Sequence, residues 1–151
     1  MPGVRVEFIG HEWDRFDELL DLDYEILYGP YGVARDGDWY HPANGSEFAV
    51  ALDETDEALL GSARLLPAPG DASRQVRQVA VAPHARERGI GRVLMCSLEE
   101  VALREGASEL WLNSRASAYG FYERLGFLGE GEEFVSALTG ILHRTMRKRL
   151  S

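Results

Sequence analysis

The 151-residue chain has one cysteine, no long apolar run and fewer basic than acidic residues, and each scarcity excludes something. Cys96 has no internal partner for a disulfide, and its place in a stretch of helical periodicity reads as a small buried side chain rather than a nucleophile. No apolar segment approaches the roughly 18 residues of a membrane span. Met1 to Gly10 lacks the basic start and apolar centre of a signal peptide, so a cytoplasmic protein without membrane attachment is expected. Lys and Arg number 16 against 25 Asp and Glu, and the formal net charge of −9 repels nucleic acid and anionic lipid, so neither is an expected partner. A phosphate would need a local cluster of arginines. The chain is 45% hydrophobic and 10% aromatic, enough to bury a core, and without a long linker one domain over 1–151 is expected.

Periodicity gives the order of elements. Val4 to Phe8 alternates like a half-buried strand and leads into a helix from about Trp13 to Tyr28, with Trp13, Phe16, Leu19, Leu20, Tyr24 and Leu27 on one stripe. Gly29-Pro30 ends it, and a polar segment carrying Tyr31, Trp39, Tyr40 and His41 runs to Gly45, either a packed lid or a pocket wall. Glu47 to Leu52 and Leu59 to Leu66 read as a hairpin around the acidic turn Asp53 to Glu57. Pro67, Pro69 and Gly70 mark a loop before the strand Gln75 to Val81. A helix follows with Ile90, Val93, Leu94, Leu98 and Val101 on its core face and Gly106 as a stop, then a strand from Glu109 to Asn113. A strand, crossover helix and strand of this length imply a parallel pair.

Two blocks carry chemistry. Arg86-Glu87-Arg88-Gly89-Ile90-Gly91-Arg92 lies between strand and helix, where glycines let a ligand approach the backbone and a helix start offers unpaired N–H groups. Arg86, Arg88 and Arg92 crowd an end where the helix dipole disfavours cations, so they are either a phosphate cradle or a solvated face. The second block, Ser114 to Phe127, reads as a short helix stopped at Gly126. Phe121 and Leu125 are spaced to bury, whereas Tyr122 lies about 100° round the helix and can face the gap beyond the preceding strand. Its phenol, with a reference pKa near 10, is either a proton donor to a departing anion such as a thiolate or a core tyrosine.

Together the blocks resemble the GNAT superfamily of N-acetyltransferases. Members share an Arg/Gln-x-x-Gly-x-Gly/Ala turn, here Arg86, Gly89 and Gly91, and later a helix similar to Ala118 to Phe127. The resemblance implies an α+β fold of three layers: a central mixed sheet of six or seven strands flanked by helices, with splayed parallel strands holding acetyl-CoA. It implies pantetheine along Val79, Ala80 and Val81, diphosphate on the backbone from Arg86 through Glu87, Arg88, Gly89, Ile90, Gly91 and Arg92, and an amide contact from Asn113. An amine would attack the thioester directly while Tyr122 protonates the thiolate, with no metal. Many relatives carry a glutamate base on the fourth strand, where this chain has Arg77 or Gln78, so the base is Glu133, His143 or a water chain.

The acceptor is expected to be a small-molecule or peptide amine. Trp39, Tyr40 and His41 could line its pocket, and Glu25, Glu132 and Glu133, with the acidic net charge, favour a cationic acceptor; the same residues also read as lid packing and solvated surface. The alternative to an enzyme is a non-catalytic acyl-CoA binding or sensing protein. Dimerisation is common in the family, and a homodimer is a further possibility to which no surface can be assigned.

Overall fold

The computed structural model describes residues 3–41, 45–67 and 72–150, so Pro69 and Gly70 of the expected loop lie outside the described residues. Strands β1 (Val4–Ile9), β2 (Glu47–Asp53), β3 (Leu59–Leu65), β4 (Ser73–Val81), β5 (Glu109–Arg115), β6 (Leu128–Val135) and β7 (Leu142–Arg149) form one sheet in the order β1-β2-β3-β4-β5-β7-β6. All neighbours are antiparallel except β4 and β5. The α+β mixed sheet flanked by helices is therefore as expected.

Helices α1 (Phe16–Leu27) and α2 (Ile90–Arg104) cover opposite faces, which follows from the period of two along β2. Phe48, Val50 and Leu52 pack with Phe16 and Leu19 of α1, while Ala49 and Ala51 join Ile90, Leu94 and Leu98 of α2. A strand buried on both faces reads as the unbroken apolar run seen there. On the α2 side, Gly61 of β3 lies so close to its neighbours that a Cβ would stand 2.9 Å from both the Ala80 carbonyl oxygen and Ile90 Cγ2.

Two helical expectations shift. Trp13 precedes α1, because the chain first turns through hydrogen bonds from Trp13 N–H to the Gly10 carbonyl and from Phe16 N–H to the Trp13 carbonyl. Cys96 is exposed, contrary to expectation, since the buried face of α2 runs through Ile90, Leu94, Met95, Leu98 and Ala102 and leaves position 96 outside that stripe.

The pairing shifts register at Ala51/Leu52 of β2 and between Glu130 and Phe134 of β6, and two further irregularities fall on β4. It pairs with β5 only at Ser73–Gln75 against Glu109–Trp111, after which the strands part while β5 stays paired to β7 along its whole length. On its other side β4 carries a bulge: Ser62 faces Ala80, but Arg64 faces Arg77, and Gln78 adopts φ 53°. A bulge leaves its extra residue outside the ladder and re-aims the strand. The β4–β5 parting and the bulge define where a ligand can enter. Among the described residues, no helix is long and apolar enough to cross a membrane.

Candidate active site

Where β4 and β5 part, a cleft of about 690 Å³ opens. Its walls are Gln75 to Val79, Leu112 to Arg115, Ile26 and Leu27 at the end of α1 with Tyr28 after it, Phe134 and Val135 at the end of β6 with Ser136 to Thr139 after them, and Ala118, Tyr122 and His143. Tyr122 stands on the short helix α3 (Tyr119–Arg124), its ring set by edge-on contacts with Phe121 at 4.9 Å and Phe127 at 5.7 Å between centroids. It is the buried residue of α3, whereas Phe121 and Leu125, spaced to bury, are only half-buried. Burial raises the Tyr122 phenol above its ordinary value, against a weaker opposing pull from the Arg115 guanidinium. A phenol so placed keeps its proton at neutral pH and can give it up only to a strong base formed within reach.

His143 Nδ1 lies 2.8 Å from the Ile141 carbonyl oxygen. A carbonyl can only accept, so Nδ1 carries the hydrogen in the neutral ring and Nε2 keeps a free lone pair. The ring is stacked on Phe134 at 5.8 Å between centroids. Asn113, exposed at the cleft, accepts a hydrogen bond through Oδ1 from the Thr145 hydroxyl at 2.7 Å, which orients its amide and leaves the NH₂ as donor. Glu133 does not line the cleft; it is exposed on β6 and accepts a hydrogen bond from the Tyr119 hydroxyl at 3.0 Å. Glu25 and Glu132 are also exposed and outside the lining.

Beyond β4 a 3₁₀ turn (Pro83–Arg88) reaches Gly89, whose φ of 73° is natural for glycine, and α2 starts at Ile90. Its first helical bond runs from Val93 N–H to the Gly89 carbonyl at 3.1 Å, and no side chain caps the helix. The N–H groups of Ile90, Gly91 and Arg92 consequently have no acceptor within the helix. Arg86 and Arg92 are exposed here with Glu87, but Arg88 is not waiting for an anion: its Nη1 donates to Asp53 Oδ2 at 3.0 Å. The Ile90 side chain belongs wholly to the core, so only its backbone is on offer. Gly91 admits Phe121, whose Cζ would lie 3.0 Å from a Cβ there. Val79 lines the cleft; Ala80, Val81 and residues 86–92 lie outside it, along the line from the cleft to the helix start.

The aromatic wall expected from Trp39 and Tyr40 is a packed layer one step behind the cleft. Trp39 is 5% exposed, donates through its indole to the Arg35 carbonyl at 2.8 Å, and lies against Tyr24 and Tyr28. Tyr40 packs on Phe16 and Trp39, with its hydroxyl 2.6 Å from His11 Nε2. Tyr28, which packs on Trp39, is the member of this layer that lines the cleft.

The bulge rests on a buried polar network that periodicity did not reveal. Gln78 Oε1 accepts from Arg64 Nη1 at 3.2 Å, and its Nε2 donates to the Tyr28 hydroxyl and the Trp39 carbonyl at 3.3 and 3.4 Å. Arg64, 2% exposed, also donates to Ser46 Oγ and the His41 carbonyl and lies over the rings of Tyr40 and Phe48. Asp23 of α1 accepts from Ser62 Oγ at 2.8 Å, and burial pushes its carboxyl up to about 8 despite the pull of that hydrogen bond and of Arg64. The signal was there: Leu19, Asp23 and Leu27 share one helical stripe, and Arg64 interrupts an apolar strand.

The cleft thus joins a mixed sheet opened between two parallel strands, a buried tyrosine on one wall and an uncapped, glycine-turned helix start beyond it. The profile described as "Acetyltransferase (GNAT) family" matches residues 13–127, and the chain belongs to this family, which uses acetyl-CoA. It is 31% identical to the Bacillus subtilis protein YyaT over 140 residues, covering 93% of this chain and 75% of that one. A further B. subtilis match, 33% identical over 75 residues, spans half of each chain. A crystal structure from Lactobacillus plantarum superposes with a TM-score of 0.83 at 21% identity, covering 99% of both chains. An aminoglycoside 6′-N-acetyltransferase in complex with coenzyme A does so with a TM-score of 0.79 at 18% identity, covering 97% of both; these two likenesses concern the fold.

Proposed function

We propose that the protein moves an acetyl group from acetyl-CoA to a primary amine by direct attack in a ternary complex. The single observation that carries this reading is Tyr122, a buried phenol lining the cleft where β4 leaves β5. The residues present fit the carrier: the N–H groups of Ile90, Gly91 and Arg92, with Arg86 and Arg92, suit a diphosphate, and the backbone from Val81 to Val79 with the Asn113 amide suits pantetheine. Acetyl-CoA supplies the activated acyl group and a thiolate leaving group with a pKa of about 8.5 by analogy with cysteine.

The chain's own part is positioning, polarisation and proton movement. The bulge at Gln78 frees strand N–H dipoles next to Val79, where they can stabilise negative charge developing on the acyl oxygen. Tyr122 holds a proton for the departing sulfur; burial makes the phenol a weaker acid than the thiol, so it stays protonated at neutral pH and meets the charge developing on sulfur first as a hydrogen-bond donor. Of the two side-chain bases considered, His143 lines the cleft with Nε2 free, whereas Glu133 lies outside it; His143 is the base we propose. The reaction suits the cytoplasm, where an exposed free thiol such as Cys96 remains reduced.

Tyr122→Phe tests the assignment. Turnover measured by thiol release should fall about 100-fold, the lower range for loss of a general acid, with acetyl-CoA affinity kept within about threefold. Unchanged turnover removes Tyr122 from the mechanism. Arg77 or Gln78 at the strand position where the resemblance implies a glutamate base favours a second reading, an acyl-CoA binding or sensing protein; acetyl-CoA binding with no turnover of any amine supports it.

A further inference from the structure

The charge lining the cleft constrains the acceptor. Among the described residues, the charged side chains on its walls are Arg77 of β4 and Arg115 of β5, and no Asp or Glu lines it. A third guanidinium, Arg64, is buried behind β4 and close enough to Arg77 for their charges to oppose each other. Asp23, a carboxyl whose charge would act on Arg64, is buried and held largely in its neutral form at pH 7, so it does not cancel them.

These cations do not serve the phosphate end. No residue from 82 to 92 lines the cleft, and Arg77 stands ~13 Å along β4 from Val81 at about 3.3 Å per residue. Arg77 is exposed and has no ion pair or hydrogen bond among the described residues. Arg115 is held in place by neutral partners only: Nη1 donates to the Tyr31 hydroxyl at 3.1 Å, Nη2 to the Leu27 carbonyl at 3.3 Å, and the guanidinium lies over the Tyr31 ring at 5.2 Å. Its orientation is thus fixed without its charge being neutralised. A guanidinium has five N–H donors, which leaves several for a ligand.

Resting on the reading of this cleft as an acetyl-CoA-dependent active site, we infer that the acceptor is an amine bearing an anionic group, a carboxylate or phosphate, which binds to Arg77 and Arg115. The net charge of −9 and the exposed Glu25, Glu132 and Glu133 suggest a cationic acceptor from sequence, but those acids lie outside the cleft and its own lining has the opposite sign. The arrangement also bears on the nucleophile. Two guanidiniums disfavour an ammonium beside them and favour the free amine that attacks, which lightens the work of a base in a cleft whose lining has no carboxylate.

The test uses calorimetric titration of the full chain with acetyl-CoA and with three coenzyme A thioethers of matched length: S-(3-carboxypropyl), S-(3-carbamoylpropyl) and S-(4-aminobutyl). Expected is a carboxylate that binds at least tenfold tighter than the amide and tighter still than the ammonium, and a preference that shrinks to under threefold in Arg77→Gln and in Arg115→Gln. Acetyl-CoA affinity should stay within threefold in Arg77→Gln, an exposed change that spares the fold. Equal affinities, a preference for the ammonium, or a carboxylate preference that survives both substitutions overturns the inference while leaving the acetyl-CoA site intact. Failure of acetyl-CoA itself to bind overturns the underlying reading instead. If the carboxylate is preferred, O-phosphoethanolamine and glycine as acceptors, each against the counterpart that lacks its anionic group, ethanolamine or glycinamide, distinguish phosphate from carboxylate as the natural group.

Discussion

Replacing Asp23 by Asn should stabilise the protein, and the gain should depend on pH. In the unfolded chain this carboxyl titrates near its ordinary 3.8, whereas burial between α1 and β3 moves it to about 8. Below pH 4 both states hold the proton and the residue costs nothing. Between pH 4 and 8 the unfolded state has lost the proton and the folded state keeps it, so folding takes up a proton and each pH unit removes about 1.4 kcal/mol of stability. At pH 7 the penalty approaches ~4 kcal/mol, and above pH 8 it levels off as the folded carboxyl also ionises. Asn keeps an oxygen to accept from Ser62 Oγ, a contact of 2.8 Å, and has no proton to take up. Urea unfolding at pH 4.5, 6, 7 and 8 should therefore give Asn an advantage of at most about 1 kcal/mol at pH 4.5 that grows to about 2–4 kcal/mol at pH 7. Parallel curves refute the buried neutral carboxyl. A less stable Asn variant at pH 7 shows that Asp23 is ionised and paired with Arg64.

Other substitutions probe the frame of the site. Arg64→Met leaves the Gln78 Oε1, Ser46 Oγ and His41 carbonyl acceptors without their donor, and should cost about 2–4 kcal/mol in urea unfolding; a loss under about 0.5 kcal/mol contradicts the network. Gly61→Ala forces a Cβ against the Ala80 carbonyl and Ile90, and thermal unfolding should show about 1–3 kcal/mol of destabilisation, whereas a neutral result means the sheet and α2 separate easily there. His143→Gln should lower kcat about 100-fold with acetyl-CoA affinity retained, and an unchanged kcat transfers the base role to solvent.

The sequence made the sheet and the glycine turn before α2 legible because each depends on local pattern. Alternation marked β1, the unbroken apolar run Phe48 to Leu52 marked a strand buried on both faces, and Gly89 before a helical stripe marked the turn. What stayed hidden was set by contacts distant in sequence. Arg88 joined the expected phosphate cluster until the fold brought Asp53 beside it, and Trp39 and Tyr40 read both as pocket wall and as lid packing until α1 and β2 enclosed them. Gln78 carries no local mark of a bulge: its left-handed backbone depends on Arg64, Tyr28 and Trp39, which come from three separate segments. Arg115 likewise lies far along the chain from Leu27 and Tyr31, the residues that fix it at the cleft.

The central claim is that the opening between β4 and β5, with the helix start beyond it, holds acetyl-CoA. Calorimetric titration of the purified protein with acetyl-CoA, using NAD as the control ligand, tests it most directly. The account predicts saturable binding of one acetyl-CoA per chain and none of NAD; a folded protein that fails to bind acetyl-CoA, or that binds NAD equally well, contradicts it.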